Sequence, residues 1–132
     1  YDRIRDVVEA NLLGVLYGMR AFLPEMLRTG RGHIVNVASL AGRFATPGTG
    51  LYSATKHAVH AMGESARLEL DGTGVRVTII APGIVDTPFF ENVPLEAPLD
   101  PDDVARAVLF ALSQPPHVNV SEIRVRRSAR AM

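Results

Sequence analysis

Three short β-branched runs, set among three long segments of helical period, predict an α/β fold with a parallel sheet. The runs are separated by stretches long enough to hold a helix, and a parallel strand pair needs such a crossover. The first run, His33 to Ala38, is nearly all apolar, as a strand covered on both faces should be.

In chain order, residues 2–28 read as one long helix. Ile4, Val7 or Val8, Val15, Met19, Phe22, Leu23 and Met26 fall near helical spacing, with Asp2, Arg3, Arg5, Asp6 and Glu9 polar among them. Pro24 removes one helical hydrogen bond and should bend the last turns. Thr29-Gly30-Arg31-Gly32 is the stop signal. Asn11 sits mid-helix beside Leu12 and Leu13, where an Asn either faces water or holds something.

The strand at 33–38 is bounded by Gly and Ser. A Gly-, Thr- and Pro-rich loop follows, and the next helix spans about residues 50–71. Its small residues Ala54, Ala58, Ala61 and Ser65 form a stripe that another helix could approach closely. Gly72-Thr73-Gly74 ends it. Val75 to Ala81 is the second strand, broken by Pro82-Gly83. Residues 84–99, with Pro88, Pro94 and Pro98, form a connection long enough to be read as a functional lid. Asp100-Pro101-Asp102-Asp103 opens the third helix with an N-cap, a Pro at the first position and acids in the first turn. Val104, Val108, Ala111 and Leu112 supply its buried face, and Gln114-Pro115-Pro116 stops it. Ser121 to Arg126 alternates apolar with charged or polar residues, as an edge strand should.

The bulk properties bound the function. A chain of 132 residues with 47% hydrophobic content and 21% charge is one globular domain. Zero net charge gives no general reason to expect nucleic acid or an anionic membrane as partner. The absence of cysteine excludes disulfides, thiolate metal sites and a Cys nucleophile. No apolar run approaches a membrane span, and cytoplasm is the expected location. His33, His57, His60 and His117 show no metal-ligand pairing with acids and are expected to be structural or superficial, so no metal is expected. Capping accounts for the acids at Glu96, Asp100, Asp102 and Asp103, and a solvated face for Arg124, Arg126, Arg127 and Arg130.

One pair carries chemistry. Tyr52 and Lys56 stand at i and i+4, so they share a helical face about 6 Å apart along the axis. An ammonium beside a phenol favours the phenolate, and a phenol so placed exchanges protons near neutral pH. Of the 14 basic residues 13 are arginine, and the single lysine is Lys56. Where any cation will do this chain uses Arg, so a lysine kept here marks a site needing a compact, flexible ammonium.

With Asn11 in E-A-N-L-L-G, Ser39 in N-V-A-S-L-A-G, Tyr52 and Lys56 in Y-S-A-T-K, and Pro82-Gly83 and Thr87 in I-I-A-P-G-I-V-D-T, the chain resembles the short-chain dehydrogenase/reductase family along nearly its whole length. The resemblance implies the C-terminal half of a Rossmann-like, doubly wound parallel sheet, with three strands and three helices visible. It implies an NAD(P)-dependent oxidoreductase that interconverts a secondary alcohol and a carbonyl by hydride transfer. Tyr52 would be the general acid/base, Ser39 would polarise the carbonyl oxygen, and Lys56 would assist Tyr52 and hold the nicotinamide ribose. Asn11 would anchor a water that relays protons to Lys56. Pro82, Gly83, Ile84, Val85 and Thr87 would meet the carboxamide end of the cofactor, and Phe89 and Phe90 the substrate. Relatives are commonly homotetramers, joined through helices corresponding to 2–28 and 50–71.

The stretch S-Q-P-P-H-V-N-V-S-E-I-R-V-R resembles a branch of NADP-dependent dehydrogenases of 3-hydroxy acids and serine-type substrates, which favours NADP over NAD. That branch runs on into Arg-Pro-Thr and a Gln, where this chain has Arg126-Arg127-Ser128 and Arg130. The family's opening T-G-x-x-x-G-x-G turn, which cradles the pyrophosphate, is not in this sequence. Gly48-Thr49-Gly50 lacks its spacing. Residues 1–132 are therefore expected to form a partial domain without the Gly-rich half, and to be inactive alone. The competing expectations are a non-catalytic remnant serving as an oligomerisation module, or a truncated product that folds poorly.

Overall fold

The structure, a computed structural model, describes residues 2–90 and 97–128, with the side chain of Asp2 excepted. The elements run α1 (Asp2–Val8), a π-turn (Glu9–Leu13), α2 (Gly14–Thr29), β1 (Gly32–Val37), a 3-10 turn (Leu40–Gly42), α3 (Gly50–Glu69), β2 (Val75–Pro82), a 3-10 turn (Pro88–Phe90), α4 (Pro101–Leu112) and β3 (Glu122–Val125). The three strands form one parallel sheet in the order β1-β2-β3, with Gly32 opposite Val75 and Ile79 opposite Glu122. This is the expected α/β, Rossmann-like arrangement. Pro94, Glu96 and Arg130, named above, lie outside the described residues.

β2 is the middle strand, and Val77, Ile79, Ile80 and Ala81 are all buried. Alternation along a strand sends Val77 and Ile79 to one face. There Ile79 packs with Ala38 and Val59, joined by Val15 and Met62, while Val77 packs with Leu70 and Val75, joined by Leu23, Met26, Ile34 and Ala66. That face is covered by α2 and α3. α4 lies against β2 and β3, with Ala111 fully buried.

The long first helix is not regular. Five residues, Glu9–Leu13, form a π-turn, and the Gly14 amide bonds back to the Glu9 carbonyl. The wider turn shifts the face presented by residues upstream of it. Ile4 is accordingly exposed, and so is Phe22, whereas Met19 is buried. A strict 3.6-residue period placed both among the buried positions. In α4 the Leu112 side chain is likewise exposed, because the helix ends there with Ser113 as C-cap. β2 runs one residue further than expected. Pro82 closes the pairing opposite Val125, where a last-position proline gives up no interior ladder bond. Asp100 caps α4 through a capping box with Asp103, and Pro101 follows as first helical residue.

Two side chains extend the sheet where β3 has not yet begun. The Asn119 carboxamide accepts from the Val77 amide at 3.0 Å and donates to the Val77 carbonyl at 3.0 Å. The Arg76 guanidinium reaches the carbonyls of Gln114, Pro115 and Val118 at 3.1–3.4 Å, tying the end of α4 to β2. Behind them the turn entering β2 is tight. Gly74 has φ +84°, and a Cβ there would lie 2.1 Å from the Gly30 carbonyl oxygen. Gly74→Ala is expected to cost about 2 kcal/mol or more in urea unfolding, since it combines left-handed strain with a backbone clash.

The partner of His33 fixes the tautomer of its neutral ring. The Thr78 hydroxyl donates to the Val120 carbonyl at 2.7 Å, so the 2.7 Å contact from His33 Nε2 must be the imidazole donating. Nδ1 then carries a lone pair, buried and without a partner. Burial, with Arg76 nearby, lowers the pKa of His33. A pKa lowered by folding contributes stability above the unfolded value of about 6.5 and loses it as pH falls. Thermal unfolding should therefore fall from about pH 6.5 downward, and His33→Gln should flatten part of that slope.

Candidate active site

The candidate residues gather at the carboxyl ends of β1 and β2, the edge where open α/β sheets bind ligands. Tyr52 and Lys56 occupy the first two turns of α3. The Lys56 ammonium donates to the Val37 carbonyl, the last of β1, at 3.2 Å, and lies 5.7 Å from the centre of the Tyr52 ring. Burial lowers the pKa of Lys56. An ammonium has three protons, and this bond uses one.

Ser39 follows β1 in extended conformation and caps the Leu40–Gly42 turn. Its hydroxyl oxygen accepts from the Ala41 amide at 3.1 Å, which leaves the hydroxyl proton free to donate elsewhere. The turn also meets the end of β2, since a Cβ on Gly83 would lie 3.5 Å from Leu40 Cδ1. Phe89 stands beside Tyr52, ring centres 5.7 Å apart, and packs edge-on against Phe90 at 5.0 Å.

Asn11 is brought to the same region by the π-turn. Its Nδ2 donates to the Thr55 hydroxyl at 3.3 Å, and Thr55 in turn donates to the Tyr52 carbonyl at 2.7 Å. Thr55 is buried and was not singled out from the sequence. Its place between Tyr52 and Lys56 in Y-S-A-T-K was the available signal, but a helical Thr bonding back three residues is commonplace.

Beyond β2, the Gly83 amide is committed to the Val125 carbonyl at 2.8 Å. Gly83 therefore offers a ligand close approach but no amide. The Leu99 amide bonds the Ile84 carbonyl and the Asp86 amide the Leu99 carbonyl, both at 2.9 Å, which pins this segment as a short extra rung. Those bonds use neither the Ile84 nor the Val85 amide. The Thr87 hydroxyl makes only a long contact of 3.5 Å to the Val85 carbonyl. This donor set fits the ribose and carboxamide of a nicotinamide: spare ammonium protons, Ile84 and Val85 amides that bond no carbonyl among the described residues, and a strand end without a side chain.

A cleft also opens at the amino ends of the strands, lined by Met26, Gly32, His33, Gly74 and Arg76. It is wide open and touches none of the candidate residues. Among the described residues no cluster of His, Cys, Asp or Glu is placed to hold a metal, and no helix is long and apolar enough to cross a membrane.

A family model described as short chain dehydrogenase matches residues 1–97. The chain belongs to that family. An uncharacterized oxidoreductase of Staphylococcus aureus (strain MW2) is 46% identical over 127 residues, which is 95% of this chain and 55% of that protein. The chain thus spans about half the length of the curated relatives it matches. The serine dehydrogenase of Escherichia coli is 38% identical, with a TM-score of 0.76 over 87% of this chain and 49% of its own. The closed form of a serine dehydrogenase complexed with NADP+ is 31% identical, with a TM-score of 0.81 over 95% of this chain and 57% of its own.

Proposed function

We propose that these residues are the catalytic half of an NAD(P)-dependent oxidoreductase interconverting a secondary alcohol and a carbonyl. One observation carries the reading. In a chain of this family, the only lysine bridges the end of β1 and the Tyr52 ring at the ligand-binding edge of the sheet.

When bound, the nicotinamide supplies or accepts the hydride. The side chains supply the rest. In reduction Tyr52 gives its phenolic proton to the substrate oxygen, and in oxidation it takes the hydroxyl proton. Ser39 donates its free hydroxyl proton to the same oxygen, where negative charge develops. Lys56 turns its remaining protons to the ribose hydroxyls. The Ile84 and Val85 amides and the Thr87 hydroxyl meet the carboxamide at the surface left open by Pro82-Gly83. Phe89 and Phe90 wall the substrate side and exclude water. Asn11, through Thr55, fixes the first turn of α3.

NADP is the favoured cofactor, supported by likeness to the NADP+-complexed serine dehydrogenase. The substrate class is a 3-hydroxy acid or serine-type alcohol, supported by both serine dehydrogenases. The protein forms a homo-oligomer through α2 and α3, supported by exposed Leu16, Tyr17, Phe22 and Leu27 on α2 and Leu51 and Leu68 on α3. The test is the intact gene product assayed with NADP+ or NAD+ against L-serine and 3-hydroxybutanoate, and with the reduced cofactors against ethyl acetoacetate. Cofactor-dependent turnover of any of them is expected. Complete inactivity across that set contradicts the reading.

A further inference from the structure

His60 has no part in the chemistry above, yet it is 3% exposed and lies one helical turn beyond Lys56. Its Nε2 stands 3.1 Å from the Ser39 carbonyl oxygen. A carbonyl only accepts, so Nε2 carries the proton and Nδ1 holds a lone pair. The same carbonyl takes the Gly42 amide at 2.9 Å. The ring lies so close to the turn that a Cβ on Gly42 would come within 2.4 Å of His60 Cδ2 and 2.7 Å of the Lys56 carbonyl oxygen. Tyr52, Lys56 and His60 thus run in successive turns along one face of α3. Lys56 holds the carbonyl of Val37, and His60 that of Ser39.

We propose that His60 is a positioning residue for Ser39: its Nε2–H clamps the Ser39 backbone to α3 and so fixes the Ser39 hydroxyl relative to Tyr52. This rests on the reading of Ser39 as the hydroxyl that polarises the substrate oxygen. The seryl backbone would otherwise be held from this side only by its own turn. The clamp makes helix and turn one body, so the proton donor on α3 and the donor on the turn keep a constant separation.

The other ring nitrogen takes no part in the clamp. Nδ1 is buried, has no hydrogen-bond partner, and lies 3.9 Å from Glu122 Oε1. Glu122 is itself fastened by Arg43 and by Arg124. Burial works to raise the Glu122 pKa, but those two guanidinium bonds outweigh it and bring it to about 2, so the carboxylate stays charged throughout the working range. The groups facing His60 are therefore His57 on its own helix, Arg43 from the turn and Glu122 from β3. Burial first, with Arg43 nearby, lowers the pKa of His60 against the opposing pull of the Ser39 carbonyl and Glu122. A proton arriving at Nδ1 would leave the Nε2–H bond to Ser39 in place, so the clamp does not depend on the ring staying neutral.

The experiment compares His60→Leu, which fills the space without a donor, with His60→Gln, which keeps an N–H at similar reach. Both are made in the intact gene product, and turnover of L-serine and 3-hydroxybutanoate is measured over a range of NADP+ concentrations. His60→Leu should lower kcat about tenfold or more with the KM for cofactor unchanged, and His60→Gln should recover to within about threefold of wild type. A folded His60→Leu with wild-type kcat overturns the inference, as does an equal fall in both variants tracking their melting temperatures. Wild type inactive on every substrate, by contrast, removes the underlying reading of Ser39 and this inference with it.

Discussion

Tyr52→Phe in the intact gene product should abolish turnover, by about a hundredfold to ten-thousandfold in kcat, the range that a positioned general acid/base supplies. The ring would keep its place. The Phe89 contact at 5.7 Å is made by ring atoms, and the Tyr52 carbonyl still accepts from Thr55. Melting temperature and cofactor affinity should therefore stay close to wild type. That combination separates loss of a proton from loss of structure. A Tyr52→Phe enzyme that turns over at wild-type rate would place the acid/base elsewhere.

The second large effect is expected at Lys56, and its sign on stability is the opposite of intuition. Burial lowers the pKa of this ammonium, so the fold disfavours the charge it carries. Lys56→Met has a similar stem without the charge to desolvate. It gives up one bond, to a Val37 carbonyl whose residue is 49% exposed and can turn to water instead. The methionine variant should therefore melt at or above the wild-type temperature while kcat/KM falls about a hundredfold or more. Lys56→Arg should not rescue it. A planar fork is larger than an ammonium and cannot serve both the Val37 carbonyl and a ribose from one half-buried stem. A methionine variant that is destabilised yet active would make Lys56 structural.

Much of this site was legible in the sequence because its spacing is local. Tyr52 and Lys56 are four apart in a segment of clear helical period, and Ser39 ends an unmistakable strand. The Asp100 cap and the parallel order of the strands followed from equally local signals. What escaped is long-range or breaks a period. The π-turn that brings Asn11 to Thr55 leaves no residue signature, and it moved Ile4 out of the face where a regular helix would bury it. His60 meets Ser39 across 21 residues, and Asn119 completes β2 across 42, so neither partner could be read from spacing. His60 was expected to be merely structural or superficial. Its burial is what the sequence could not show, because an alternation of small and large residues on α3 leaves open which turn faces the strand end.

Hydride transfer to a carbonyl is the role proposed for Ser39, Tyr52 and Lys56 at the carboxyl edge of the sheet. The most direct test is NADPH carrying deuterium at the nicotinamide C4, on one face at a time, supplied to the intact gene product with ethyl acetoacetate. Deuterium is expected on the carbinol carbon of the product from one face of the cofactor, and none with Tyr52→Phe. Product formed without deuterium from either face, or labelled equally by wild type and Tyr52→Phe, would contradict it.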